Sequence, residues 1–70
     1  MIIEVDKNAD AAYIYFREIK AGEVVQTISL NEEINIDLDK DGITIGIEVL
    51  NASKNLPSSS FKDAKLINLN

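Results

Sequence analysis

The sequence predicts a mainly β to α+β fold, an antiparallel β-meander of about five strands with a short C-terminal helix or tail. The segments between turn signals are rich in β-branched and aromatic residues and are too short for long helices. Several of them alternate apolar and polar side chains with a period of two, and clusters of Asp, Asn and Gly separate them. We therefore expect one antiparallel β domain over residues 1–56. A tail over residues 57–70 is expected to pack on this domain or on a partner subunit.

Five strands are predicted, over residues 2–5, 11–18, 23–30, 34–38 and 43–49. The alternation is clearest in the fourth. There Ile34, Ile36 and Leu38 point to one face, while Asn35 and Asp37 point to the other, as on an antiparallel sheet with one solvated face.

The end of the predicted sheet contains two glycines with distinct roles. Gly42 closes a hairpin loop and suits a positive φ angle. Gly46 lies inside the return strand, which predicts a bulge or a close packing contact. Beyond Leu50 the composition is that of a loop, with one helical turn before Pro57. Two alternatives remain for the tail, a short helix near Phe61 or a final strand over residues 66–69.

The residue inventory limits both stability and chemistry. The 70 residues include no cysteine and no histidine, which excludes disulfides, a thiol nucleophile, and the commonest metal ligand and acid–base group. A core of this size rarely supplies more than about 3–5 kcal/mol. We therefore predict a homo-oligomer, most simply a two-fold dimer. We predict no cofactor and no catalytic site.

Charge and hydropathy indicate the kind of partner. The formal net charge of −5 repels nucleic-acid backbones, so we expect no nucleic-acid binding, and it suits a basic protein partner. The N-terminal residues lack the pattern of an export signal, and no apolar run approaches the length of a membrane span. We expect a cytoplasmic protein without membrane association.

Two stretches of the chain carry a family resemblance. Residues 5–14 read VDKNADAAYI, and residues 36–42 read IDLDKDG, followed by GIEVLNAS at residues 46–53. This layout resembles the small bacterial and archaeal proteins of the domain of unknown function 2283, over roughly residues 1–56. The family has no established activity, so the resemblance implies no functional residue. Members encoded beside toxin-like small proteins imply an antitoxin-like or partner-binding role.

The acidic hairpin matches a calcium-binding pattern letter by letter. Asp37, Asp39, Asp41, Gly42 and Glu48 fit the EF-hand signature D-x-D-x-D-G-x₅-E. An EF-hand loop lies between two helices, whereas these flanks alternate with the period of strands. A solvated hairpin tip is the favoured interpretation. Binding of a small ligand or divalent cation at this tip is the alternative.

Tyr13 and Tyr15 share one face of the second predicted strand and are candidate interface residues, since tyrosine combines an apolar ring with a polar tip. Stacking of nucleic-acid bases normally needs a positive groove, which this acidic chain does not predict. Asp6 and Asp10 suit hydrogen-bonded turns better than acid–base catalysis. The favoured function is a non-enzymatic protein–protein interaction module, antitoxin-like or regulatory. An enzyme that uses only carboxylates and tyrosines is the remaining alternative.

Overall fold

One six-stranded sheet organises residues 1–67, which are the residues that the computed structural model describes. The strands are β1 (Ile2–Asp6), β2 (Ala11–Tyr15), β3 (Gln26–Ser29), β4 (Ile34–Leu38), β5 (Thr44–Leu50) and β6 (Lys65–Ile67). Between β5 and β6 lie a four-residue helix α1 (Ala52–Asn55) and a 3-10 turn (Ser58–Phe61). The predicted mainly β to α+β class is confirmed.

The strands lie in the order β3-β4-β5-β2-β1-β6. Strands β1 and β2 form one hairpin, β3 to β5 form a three-stranded meander, and the two units join where β2 pairs antiparallel with β5. A simple meander would pair β2 with β3 instead, so this part of the prediction is wrong. The physical reason is burial: pairing with the seven-residue β5 places Ala12 beside Val49 and Ile14 beside Ile47, whereas β3 is exposed throughout.

The second and third strands are shorter than predicted. The expected strands over residues 11–18 and 23–30 are reduced to Ala11–Tyr15 and Gln26–Ser29. A loop closed by side chains replaces their ends: Arg17 Nη1 lies 3.1 Å from Glu23 Oε1, which also accepts a hydrogen bond from Lys20 N at 2.7 Å. Gly22 permits this turn with a φ of 84°.

The tail returns to the sheet. Strand β6 runs parallel to β1, with Leu66 beside Val5, so the sheet is mixed rather than wholly antiparallel. A parallel pair needs a long crossover, which α1 and the 3-10 turn supply. The predicted final strand is therefore present as far as Ile67, while residues 68 and 69 of that prediction lie outside the described residues. The predicted helical turn before Pro57 is confirmed by α1, and the short helix expected near Phe61 is a 3-10 turn.

The core lies beneath α1 and the 3-10 turn. Register partners on five strands form one apolar row: Ile34, Val49, Ala12, Val5 and Leu66. At its centre Val49, Ala12 and Val5 are only 2–4% exposed. Ala52 of α1 is fully buried on this cluster, and Leu56, Phe61 and Ala64 pack around it.

The close packing contact predicted at Gly46 is present, and the predicted bulge lies beside it, at Ile45. The register between β4 and β5 shifts where Asp37 pairs with Gly46 and Leu38 pairs with Thr44, which leaves the buried Ile45 as a bulge. Gly46 also lies directly under a tyrosine ring. Gly42 adopts a φ of 79°, as its place in the hairpin loop predicts. Within residues 1–67 the helices are too short to cross a bilayer.

Candidate functional site

The sheet face opposite the core carries the candidate residues. Because side chains alternate along a strand, the register pairs place Glu4, Tyr13, Tyr15, Asp37 and Glu48 on this one face. We call it the tyrosine face. Neither α1 nor the 3-10 turn covers it, since both pack on the opposite side.

Tyr13 reaches across the whole of β5. Its hydroxyl donates a hydrogen bond to Asp37 Oδ2 on β4 at 2.5 Å, and Thr27 of β3 donates to the other carboxylate oxygen at 2.6 Å. Gly46 makes this reach possible, because a Cβ atom there would lie 2.6 Å from Tyr13 Cζ. One carboxylate therefore connects three strands through side chains.

Tyr15 forms a second, smaller network. Its hydroxyl donates to Glu4 Oε1 at 2.8 Å, and Lys65 Nζ lies 3.6 Å from Glu4 Oε2. The Tyr13 and Tyr15 ring centroids are 4.6 Å apart with an interplanar angle of 53°. This tilted geometry suits two aromatic quadrupoles, so the rings support one another as well as their carboxylate partners.

Both tyrosines are held neutral. Burial raises the pKa of Tyr13 above its usual value, and the hydrogen bond to Asp37 raises it further. The hydrogen bond to Glu4 is the first cause of the raised pKa of Tyr15, followed by burial. A phenol with a raised pKa is a poor nucleophile and a poor base at neutral pH. A depression that both rings line holds about 270 Å³, and a second one, lined by Tyr15, Glu4 and Met1, holds about 380 Å³.

The predicted hairpin tip is built by one aspartate. Asp39 Oδ1 accepts hydrogen bonds from the backbone N–H groups of Asp41 and Ile43, both at 2.9 Å. The bond from Ile43 is the largest cause of the lowered pKa of Asp39. The flanking segments are strands β4 and β5, which confirms the predicted hairpin and excludes an EF-hand.

The four carboxylates of the calcium-like pattern do not converge. Asp37 is engaged by Tyr13 and Thr27, and Glu48 accepts a hydrogen bond from Asn35 at 3.1 Å. Within the part of the chain that the structure describes, no group of three or more acidic residues is placed to hold a metal ion. The pattern therefore corresponds to separate structural contacts.

A contact between distant segments, which we call the Asp10 clasp, fixes α1 to the first hairpin. Asp10 Oδ1 accepts from Ser53 N at 3.0 Å and Oδ2 accepts from Ser53 Oγ at 2.7 Å. The Asp10 carbonyl also accepts from Ala52 N at 2.8 Å. Asp6 accepts from the backbone of Asn8 and Ala9, which confirms its turn role, whereas the role of Asp10 goes beyond the predicted turn. Asp10 and Ser53 both lie in the stretches that carry the family resemblance, residues 5–14 and 46–53. Their presence in those stretches was the sequence signal available for this contact.

Glu33 holds α1 from the other side and was missed by the sequence reasoning. Its carboxylate accepts hydrogen bonds from Asn51, from Asn55 Nδ2 at 3.1 Å and from Lys54 Nζ at 3.2 Å. These contacts, that of Asn51 first, lower the pKa of Glu33 to about 2. Because the partners lie 18–22 residues away along the chain, no local pattern announces them.

The chain is thus a small β-sheet protein in which two carboxylates, those of Asp10 and Glu33, hold a short helix, and Gly46 lets a tyrosine cross the sheet. The chain belongs to the family described as protein of unknown function (DUF2283), whose model matches residues 2–53. The resemblance inferred from the sequence is thereby confirmed, and the matched region contains both partners of the Asp10 clasp. Comparison with curated proteins and with solved structures finds no match.

Proposed function

We propose that this protein is a non-enzymatic protein–protein interaction module that acts in the cytoplasm as an antitoxin-like or regulatory partner. One observation carries the proposal. Beside the core row lies a second row of register partners across five strands: Ile28, Ile36, Ile47, Ile14 and Ile3. Ile28 is 45% exposed, and the other four are partly buried, with Ile3 and Ile47 in contact with the core cluster. We call it the open isoleucine row.

The open isoleucine row follows from the small size of the covering layer. Helix α1 and the 3-10 turn pack on Val5, Ala12 and Val49, and Ile34 of β4 also contacts this cluster, so β3, which is exposed throughout, is the part of the apolar face with the least cover. Phe16, on the same face, is also largely exposed. Adjoining apolar side chains that stay partly exposed on a small domain are typical of an interaction site. Each Å² that a partner covers there contributes about 25 cal/mol.

The tyrosine face supports a non-enzymatic role. Its hydroxyl groups are paired with Asp37 and Glu4, and the pKa shifts keep both phenols protonated. These contacts resemble a structural ladder across the sheet more than an acid–base pair, which would need one group poised to release a proton near neutral pH.

Charge supports a basic partner. Glu4, Asp37 and Glu48 share the tyrosine face, and the chain carries a formal net charge of −5. This net negative charge attracts a basic protein to the chain as a whole and repels a nucleic acid, while the contact surface is the open isoleucine row on the opposite face. A second copy of the chain is the simplest further partner, since a dimer adds burial that a 70-residue domain lacks.

A matched pair of substitutions tests whether the open isoleucine row binds a partner. Ile28→Thr and Ile2→Thr make the same chemical change at exposed strand positions, 45% and 56% exposed, on opposite faces of the sheet. Wild-type and variant proteins are immobilised and exposed to lysate of the cells that produce the protein. Retained proteins are then identified by mass spectrometry and titrated for affinity.

We expect a specific partner to bind the wild type and Ile2→Thr equally. Ile28→Thr should weaken binding by about 1 kcal/mol, roughly five- to tenfold in Kd, because it replaces an ethyl group with a hydroxyl at the interface. Equal binding by all three proteins would show that the row is not the binding surface. Failure of the wild type to retain any protein would refute the proposal itself.

A further inference from the structure

The outer edge of the sheet at β3 lacks the features that normally protect an edge strand. Residues 24–30 read VVQTISL, with no charge, proline or glycine, and all seven are exposed. Of the nine exposed large hydrophobic residues within residues 1–67, four lie in this segment: Val24, Val25, Ile28 and Leu30. Natural edge strands usually carry a lysine, a proline or a bulge that prevents pairing with another chain. The opposite edge, β6, begins with Lys65 and follows Lys62 and Asp63.

The backbone of β3 is oriented to receive another strand. Leu30 N donates to Ile34 O at 2.8 Å, and Ile28 is the register partner of Ile36. In an antiparallel pair, alternate residues direct their backbone groups toward the partner strand. The N–H and C=O groups of Thr27 and Ser29 therefore point away from β4, toward the open edge.

We propose that β3 pairs antiparallel with β3 of a second copy of the chain, about a two-fold axis at Thr27. This inference rests on the dimer in the proposed function and gives it a location. A two-fold axis perpendicular to the sheet leaves the tyrosine faces of both copies on the same side of the joined sheet. Each residue of β3 therefore lies opposite a residue whose side chain is on the same face. Thr27 then lies opposite Thr27 of the second copy, and Val25 lies opposite Ser29.

Charge selects this register. With the axis at Thr27, β3 pairs with itself, the uncharged residues on either side of it lie opposite uncharged residues, and Glu23 lies opposite Asn31. Val25 N donates to Leu38 O in its own chain, so Thr27 and Ser29 supply the N–H groups that cross between the copies. Moving the axis by one residue, to Ile28, would place Glu23 opposite Glu33, and like charges directly opposite one another are destabilising. Moving it to Gln26 would place Gly22 and Glu23, which belong to the loop that Arg17 and Glu23 close, opposite Leu30 and Ser29.

The pairing also has a consequence for the open isoleucine row. Ile28 lies opposite Gln26 of the second copy, so the two Ile28 side chains become diagonal neighbours on the same face, about 7–8 Å apart. The rows of the two copies then join into one apolar surface that spans the dimer. A partner that covers the row would contact both copies at once.

The first test measures mass and uses a charge at the axis. Sedimentation equilibrium should give twice the monomer mass of 7.7 kDa for the wild type. Thr27→Lys should return the mass to that of the monomer, because two introduced lysines would lie opposite one another at the axis. Within its own chain the introduced lysine faces Asp37, so the fold retains a favourable contact. Thr44→Lys makes the same change inside the sheet on β5 and should leave the dimer intact.

The second test measures register with single cysteines, which are unambiguous because the chain has none. Thr27→Cys should form an intermolecular disulfide at least roughly tenfold faster than Ser29→Cys, since the paired Cα atoms would be about 5.5 Å apart rather than about 13 Å. A mixture of Val25→Cys and Ser29→Cys should cross-link as readily as Thr27→Cys alone.

The outcomes separate this inference from the dimer itself. A wild-type monomer would overturn both. A wild-type dimer that persists in Thr27→Lys, or whose Thr27→Cys cross-links no faster than Ser29→Cys, would overturn the edge pairing and leave a dimer formed through another surface. Circular dichroism shows whether Thr27→Lys folds. If it does not, the rates of disulfide formation in the cysteine variants decide whether β3 pairs with β3, because cysteine is close in size and shape to the threonine that it replaces.

Discussion

Substitution of Gly46 by alanine tests how Tyr13 is positioned. The new Cβ would lie 2.6 Å from Tyr13 Cε1 and Cζ, closer than carbon atoms can approach. The ring must therefore move away from β5, and its hydroxyl must leave Asp37, with which it forms a 2.5 Å hydrogen bond. Gly46 itself has no positive φ angle, so the backbone accepts alanine without strain. The cost of the substitution comes from the tyrosine.

The expected loss in the free energy of unfolding is about 2 kcal/mol. Overpacking costs about 1–3 kcal/mol, and loss of a hydrogen bond costs about 1 kcal/mol. The lower entropy of the unfolded chain offsets about 0.4–1 kcal/mol of this. A domain of 70 residues has a total stability of about 4–10 kcal/mol, so the variant still folds. Its Tm should fall by about 8–16 °C.

A double-mutant cycle measured by urea unfolding checks this assignment. In a Tyr13→Ala background there is no ring to displace, so Gly46→Ala should be neutral or stabilising by about 0.5 kcal/mol. In a Tyr13→Phe background the ring remains and most of the cost of Gly46→Ala should persist. If Gly46→Ala costs the same with and without the Tyr13 ring, the proposed reach of Tyr13 across β5 is refuted.

Three further predictions concern pH and the clasp on α1. The pKa values of Tyr13 and Tyr15 are raised in the folded protein, so the contribution of the two tyrosines to stability is complete below pH 10 and is lost as the pH rises through the folded-state values. Phenolate absorbance should therefore appear at higher pH in the native chain than in the urea-unfolded chain. The pKa of Glu33 is lowered from 4.5 to about 2, so its contribution to stability is present above pH 4.5 and is lost as the pH falls toward 2. The stability difference between wild type and Glu33→Gln, measured from urea midpoints, should shrink across that window. A constant difference would contradict the role assigned to Glu33. Asp10→Ala should cost about 1–2 kcal/mol and Ser53→Ala about half as much, because the latter keeps the bond to the backbone N–H; equal losses in urea unfolding would show that the backbone bond contributes nothing.

The sequence predicted those parts of the fold that depend on local patterns. Strand β4 was predicted to the residue, because Ile34, Ile36 and Leu38 alternate strictly with polar residues. The ends of β2 and β3 were not predicted, because an ion pair between Arg17 and Glu23 replaces strand by loop, and this contact has no local signature. The pairing of β2 with β5 depends on which apolar faces match in space, and periodicity alone does not contain that information.

The candidate site was predicted in composition but not in geometry. Tyr13 and Tyr15 were predicted to share one strand face as interface candidates, and Asp37 was singled out only through the calcium-like pattern. The hydrogen bond between Tyr13 and Asp37 joins residues 24 positions apart and passes over β5. The glycine inside that strand, Gly46, was the sequence feature that could have indicated it. The calcium-like pattern from Asp37 to Glu48 has two separate causes. Side chains alternate along the strands, and Asp39 hydrogen-bonds the backbone of the hairpin loop.

The seam between β2 and β5 also sets a sequence of events during protein synthesis. When β2 leaves the ribosome its hairpin partner β1 is already present, but β5 follows only after residues 16–43 have been made. At about 5–20 residues per second this takes on the order of a few seconds, far longer than a hairpin needs to form. Throughout that interval the Tyr-Ile-Tyr end of β2 presents an unpaired strand edge on the nascent chain. An isolated hairpin is barely stable in water, so β1 and β2 gain their full stability only when β5 pairs with β2.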